Sequence, residues 1–203
     1  MNTEQRQFDW IFYGQWVLAG TVALVVAGML AFATIWSVGE VVERAWGETA
    51  AAFTAGGLFG ALLGAGIGIG QALLLQRRGI NAARWIGASV IAAAVGMAIA
   101  WTIVFIFLDA DTMPEVVTGV MISIAAGLPV GVAQSVVLRP HVSNTSLWIV
   151  VSTLAFLIAF VAGLPLGGEG REWIALGTIG LLSATISGLG MVWLLRQQPA
   201  AAM

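Results

Sequence analysis

Residues 56–70 read GGLFGALLGAGIGIG and run directly into QALLLQRR at 71–78. Seven glycines in fifteen positions suit either a phosphate-binding loop or a membrane helix packed closely on its neighbours. Spacing decides between them. A dinucleotide fingerprint needs G-x-G-x-x-G after a strand. Counted from Gly64 the last position of that pattern is Ile69, and from Gly66 it is Gln71. No G-K-[ST] follows to make a nucleotide loop, and the stretch holds no cation to meet a phosphate. Gly56, Gly60, Gly64 and Gly68 instead recur every four residues, on one ridge of a helix.

The surrounding chain sets the solvent for that helix. Its 203 residues are 60% hydrophobic and 9% charged, with a mean hydropathy of +0.98. Soluble domains carry about 25% charged residues, so this is a membrane composition. Apolar runs of 18 or more residues read as spanning helices, and six are found, near 16–36, 51–75, 88–108, 116–138, 147–165 and 173–195. The loops between them are short, so the expected fold is a single all-α integral membrane domain. MNTEQRQFDW lacks the basic n-region of a signal peptide. With no cysteine, disulfides, thiolate metal sites and Cys nucleophiles are excluded.

Charge gives an orientation. Every basic residue is arginine. Arg6, Arg77, Arg78, Arg84, Arg139 and Arg196 fall on the side of the termini, with only Glu4 and Asp9 as acids there. The other side has Glu40, Glu43, Glu48, Asp109, Asp111, Glu115, Glu169 and Glu172 against Arg44 and Arg171. The positive-inside rule then puts both termini in the cytoplasm. A bacterial inner membrane is the expected location.

The glycine stretch is also one copy of a repeat. GIGQALLLQR (68–77), GVAQSVVLR (131–139) and GLGMVWLLR (188–196) align, so Gln71 corresponds to Gln134 and to Met191. Trp85 follows Gln71 by fourteen residues and Trp148 follows Gln134 by fourteen, each opening an odd-numbered span. WVLAGT from Trp16, WIGASV from Trp85 and WIVVST from Trp148 align in turn. The chain reads as three helical hairpins, 16–77, 84–139 and 147–196, and self-similarity of this kind governs the fold. Because each copy starts on the same side, the repeats predict a pseudo-threefold axis along the membrane normal, unlike the in-plane axis of inverted repeats.

The ridge recurs with the repeat. In span four it is Gly119, Ser123, Gly127 and Gly131, and in span six Gly180, Ala184 and Gly188. The odd spans carry Ala19, Ala23, Ala27 and Ala31; Ala88, Ala92, Gly96 and Ala100; and Ala155, Ala159 and Gly163. Lipid supplies no hydrophobic drive between helices, so small-xxx-small ridges that let backbones approach are how such helices associate. The expectation is a tight bundle without a wide aqueous pore.

The G-x-x-Q-x-x-x-L-x-R pattern, a short turn and then Trp-Ile resembles repeats in uncharacterised multi-pass membrane proteins of bacteria. The likeness covers nearly the whole chain, around Gln71, Gln134 and Met191. It implies the repeated-hairpin fold and carries no activity with it. Three two-helix repeats also resemble the architecture of mitochondrial carriers. Their signature, a proline with an acidic residue and a base at the end of each odd helix, is missing where these spans end near Trp36, Leu108 and Pro165.

Candidate chemistry is sparse. Gln71 and Gln134 lie within the membrane about 7–9 Å from the terminal arginines at 1.5 Å per residue, one turn beyond the glycine ridge. They are either a polar ring that coordinates a solute, headgroup or pigment, or interhelical glue. Met191 interrupts the ring and favours glue. No ionisable residue falls inside a span, which weighs against ion pumping. His141 is the sole histidine and, with no cysteine, provides no usual transition-metal set. DADTMPE (109–115) gathers three carboxylates but lacks the glycine and length of an EF-hand loop. The nine tryptophans divide between the two ends: Trp10, Trp16, Trp85, Trp148 and Trp193 at one, Trp36, Trp46, Trp101 and Trp173 at the other. They read as an aromatic belt of interfacial anchors, with FDWIFYGQW (8–16) lying along the surface ahead of the first span. Hydroxyls in the spans, such as Ser89, Thr102 and Ser187, have no base at a helical neighbour position.

The expected function is therefore a non-enzymatic structural, assembly or accessory subunit of a larger membrane complex. Its partners are membrane lipids and other membrane-protein subunits, with no nucleic acid, no metal and no cofactor assigned. One alternative is a small-solute or lipid transporter along the pseudo-threefold axis. Another is a carrier of an apolar cofactor such as a carotenoid, quinone or lipid.

Overall fold

A computed structural model describes residues 8–108, 113–168 and 170–197. It contains six helices long and apolar enough to cross a membrane. They are α1 (Trp10–Trp46), α2 (Glu48–Leu75), α3 (Ala82–Trp101), α4 (Glu115–Leu138), α5 (Ser146–Gly163) and α6 (Glu172–Arg196). Among the described residues there is no strand.

Local chemistry sets the helix ends. Asp9 caps α1 by accepting the Phe12 amide at 2.9 Å, leaving one fewer orphan N–H in the first turn. Asn81 caps α3 the same way through Arg84 N. Gly47, at φ 87°, separates α1 from α2 by a single residue, a conformation that favours glycine. Gly79, at φ 77°, turns the chain between α2 and α3 after a 3-10 turn at Gln76–Arg78. α3 continues into a π-helical turn at Thr102–Phe107.

α1 departs from the sequence reading. It is one helix of 37 residues from Trp10, about 55 Å at 1.5 Å per residue. Among the described residues no separate surface helix precedes the first span. Capped by Asp9, the helix starts at Trp10, six residues ahead of Trp16, and the polar Glu40, Glu43 and Arg44 prolong it far past Trp36 because nothing there breaks a helix. Glu40 and Arg44 even pair along it at 3.1 Å.

Each helix packs on its neighbours in the chain, and α6 returns to α1, so the six close into a ring. Two apolar clusters fill the interior, and each draws side chains from all six helices. One holds Leu24, Phe59, Met97, Ala126, Phe156 and Leu176. The other, nearer the termini, holds Trp16, Leu75, Trp85, Leu138, Trp148 and Met191.

The glycine ridges lie at the seams between successive hairpins. A Cβ on Gly60 would stand 2.2 Å from the Ala93 carbonyl oxygen, and one on Gly64 would stand 2.5 Å from that of Ser89. Along the same seam with α3, a Cβ on Gly56 would lie 2.7 Å from the Met97 oxygen and one on Gly68 would lie 3.1 Å from Ile86. Gly119, Gly127 and Gly131 of α4 face Leu164, at the end of α5, and Phe156 and Ser152 within it, and Gly180 and Gly188 of α6 face Thr21 and Trp16 of α1. Of these three seams α2–α3 is the tightest, with backbone oxygens at 2.2–2.7 Å from the added Cβ, and within the next hairpin a Cβ on Gly96 of α3 would stand 2.0 Å from the Ala125 oxygen of α4.

The aromatic belt needs correction. Trp10, Trp36, Trp46, Trp173 and Trp193 are exposed on the flanks. Trp16, Trp85 and Trp148 are instead the largest fully buried side chains of the bundle, at 0%, 0% and 1% exposure. An indole at headgroup depth can face lipid or the interior, and these three face in because a polar partner waits there.

Candidate functional site

The polar partners form one network across the interior. Trp85 donates its indole N–H to Gln71 Oε1 at 3.1 Å, and Trp148 donates to Gln134 Oε1 at 2.9 Å. Each bond spans the turn between one hairpin and the next, and each bridges fourteen residues. The two glutamines also meet: Gln134 Nε2 donates to Gln71 Oε1 at 3.3 Å and to Ser89 Oγ at 2.8 Å. Ser89 in turn donates to the Trp85 carbonyl.

Trp16 has no glutamine for a partner and finds a different acceptor. Trp16 donates to Ser187 Oγ at 3.1 Å. Ser187 lies one helical turn before Met191, which is itself fully buried against the tryptophans. The three indoles form a chain, with Trp148 6.2 Å from Trp16 and 6.0 Å from Trp85 between ring centroids. A buried indole without an acceptor costs roughly 1–3 kcal/mol, so all three tryptophans depend on these acceptors to sit inside.

Beside the network lies a small cavity of about 20 Å³, rimmed by Gln71, Gln134, Ser152, Ser183 and Ser187 among apolar neighbours. That is room for one water-sized molecule. Toward the termini the way is filled by Trp16, Trp85, Trp148, Met191, Leu75 and Leu138. Toward the other end it is filled by Leu24, Phe59, Leu63, Phe156 and their neighbours.

Several other hydroxyls within the helices are turned onto their own backbone. Thr21 donates to Val17 O, Thr102 to Ala98 O, Ser135 to Val132 O and Thr153 to Ile149 O. This back-bonding satisfies the hydroxyl and leaves no base beside it. His141 sits in the turn after α4 with Nε2 3.2 Å from the Gly79 carbonyl, joining two turns on the side of the termini. Of the acidic segment 109–115, residues 109–112 lie outside the described residues, and among the described residues no group of three or more His, Cys, Asp or Glu side chains gathers for a metal.

The titration of Asp9 is shifted. The Phe12 amide it caps holds its carboxyl below the ordinary value of 3.8; burial opposes this, and the Arg78 guanidinium beside it adds to the lowering. Arg78 also lies over the Phe12 ring at 5.3 Å.

The large recess is on the outside. Between α1 and α2, side chains rising beside a floor of Ala23, Ala27, Gly66 and Gly70 leave an apolar groove of about 850 Å³. The chain was compared with family models, curated proteins and solved structures, and none matches.

Sequence reasoning finds Gln71 and Gln134 but misses the donors Trp16, Trp85 and Trp148 and the acceptors Ser89 and Ser187. A signal for two of the donors is present: the same fourteen-residue interval, repeated, brings a glutamine at the end of one hairpin beside the tryptophan that opens the next.

Proposed function

We propose that this protein is a non-enzymatic membrane bundle serving as a structural, assembly or accessory subunit of a larger membrane complex. One observation carries the reading. Gln71, Gln134, Ser89 and Ser187 are spent on one another and on the indoles of Trp16, Trp85 and Trp148, and the space beside them holds no more than a water-sized molecule. A transporter needs polar groups facing a cavity that opens to each side in turn, and here tryptophan and leucine fill one approach and leucine and phenylalanine the other.

The pseudo-threefold arrangement of hairpins belongs to this proposal. It is supported by the aligned repeats and by a polar bond to each of Trp16, Trp85 and Trp148 from the preceding even-numbered helix in the ring. The arginine asymmetry supports cytoplasmic termini, in a membrane taken to be the bacterial inner one. The likeness to repeated-hairpin bacterial membrane proteins agrees with it.

A second reading, carriage of an apolar molecule, is favoured by the groove between α1 and α2. The test is isolation in a mild detergent, with identification of co-migrating polypeptides and extractable small molecules. The accessory reading expects a stoichiometric membrane-protein partner. Visible absorbance with no partner points to the carrier instead.

A further inference from the structure

The α1–α2 groove has the length and the polarity of one lipid leaflet. Its floor is set by backbone contact: a Cβ on Gly66 would lie 2.5 Å from that of Ala27, and one on Gly70 would lie 3.0 Å from the Ala19 carbonyl oxygen. With the axes this close, the larger side chains at the rim, Leu18, Leu30, Leu62 and Leu73, splay into two walls of a furrow. From Gln15 to Leu30 on one helix and from Leu62 to Arg77 on the other, the groove runs about 22 Å at 1.5 Å per residue. Just past Leu30, Phe32 packs on Phe59 at 5.3 Å in the same seam.

A spanning helix of a partner needs an apolar track matched to the full ~30 Å hydrocarbon core. This track is shorter. Half of a bilayer that is about 40–45 Å thick with its headgroups is ~20–22 Å, the extent of the groove from its polar end to its closed one. At the polar end Gln15 and Arg77 are both exposed. The neighbouring Arg78 is committed to Asp9, whereas Arg77 has no carboxylate within ion-pair distance among the described residues. An uncommitted guanidinium at headgroup level is a fork for phosphate oxygens.

We infer that the groove is a binding site for one anionic phospholipid of the leaflet on the side of the termini, with its phosphate on Arg77 and an acyl chain along Ala23, Ala27, Gly66 and Gly70. The inference rests on the chain lying in a bilayer and stands or falls apart from the accessory-subunit reading.

The test is native mass spectrometry of the detergent-solubilised full chain titrated with dioleoylphosphatidylglycerol and, separately, dioleoylphosphatidylcholine. The site predicts one retained lipid with about a fivefold preference for the anionic one, the scale of a single cation near a membrane surface. Arg77→Gln removes the preference while leaving the acyl contact. Val22→Trp, placed on the exposed wall of the groove, lowers retention of both lipids. Elution volume and melting temperature check that each variant folds. Equal retention of the two lipids by the natural chain overturns the site, as does a preference that survives Arg77→Gln. Crosslinking from Val22 to a co-purifying polypeptide in place of lipid overturns it as well.

Discussion

Trp16 and Ser187 stand 171 residues apart in the chain, and the indole N–H of the first donates to the hydroxyl of the second at 3.1 Å. This bond joins the first helix to the last. Ser187→Ala should strand a buried indole donor and lower stability by about 1 kcal/mol. Met191→Gln places a glutamine where the aligned copies hold Gln71 and Gln134, and in the Ser187→Ala background it should recover much of the loss. Thermal unfolding in detergent reads both effects. If the double variant is less stable than Ser187→Ala alone, the equivalence of the three copies is wrong.

Gln134 takes part in three bonds and Gln71 in two, sharing the one between them. Gln134→Leu should therefore cost more than Gln71→Leu, each on the order of 1–2 kcal/mol for interhelical hydrogen bonds in a membrane. Because the residues share a bond, the double variant should cost less than the sum of the singles. Strict additivity would argue that the glutamines act separately.

The seam between α2 and α3 can be probed with a single methyl group. Gly64→Ala would press Cβ to 2.5 Å from the Ser89 carbonyl oxygen, while an added Cβ at Gly87 meets nothing within 4 Å. Overpacking of this kind costs about 1–3 kcal/mol, so Gly64→Ala should melt earlier or fail to assemble. Gly87→Ala should be neutral or gain up to about 1 kcal/mol from helix propensity. Matching behaviour of the two variants would remove the packing role of the ridge.

Acid should loosen the start of α1. Asp9 has its carboxyl held below 3.8 in the folded protein, so its contribution is present above that value. It is lost as pH falls through the lower folded value. The pair with Arg78 is exposed, and the contribution is correspondingly small. Asp9→Asn should flatten the loss of melting temperature below about pH 4, while the natural chain and the variant differ by a constant amount near neutrality. Identical acid profiles would assign the acid sensitivity elsewhere.

Much of the fold is legible in the residues themselves. Six apolar runs mark the helices because membrane spans must be long and unbroken, and the four-residue glycine spacing marks the ridge. The ends of α1 are not legible, since Glu40, Glu43 and Arg44 break an apolar run without breaking a helix. Burial of Trp16, Trp85 and Trp148 escapes a sequence reading because a tryptophan near a membrane surface has two stable homes, and only the position of its hydrogen-bond partner distinguishes them. Ser187 is hidden for a related reason. It occupies the place of Ile67 and Val130 in the other copies, so alignment of the repeats points to Met191 instead. The π-helical turn at Thr102–Phe107 has no marker that we can name in the sequence.

A sealed interior is tested most directly by solute and ion flux into proteoliposomes containing the purified chain, against empty liposomes of the same lipid. A core filled by Trp16, Trp85, Trp148 and Met191 on one side and Phe59 and Phe156 on the other predicts identical flux in the two preparations. Saturable uptake of any solute by the protein-containing vesicles, abolished by Gln134→Leu, would contradict it.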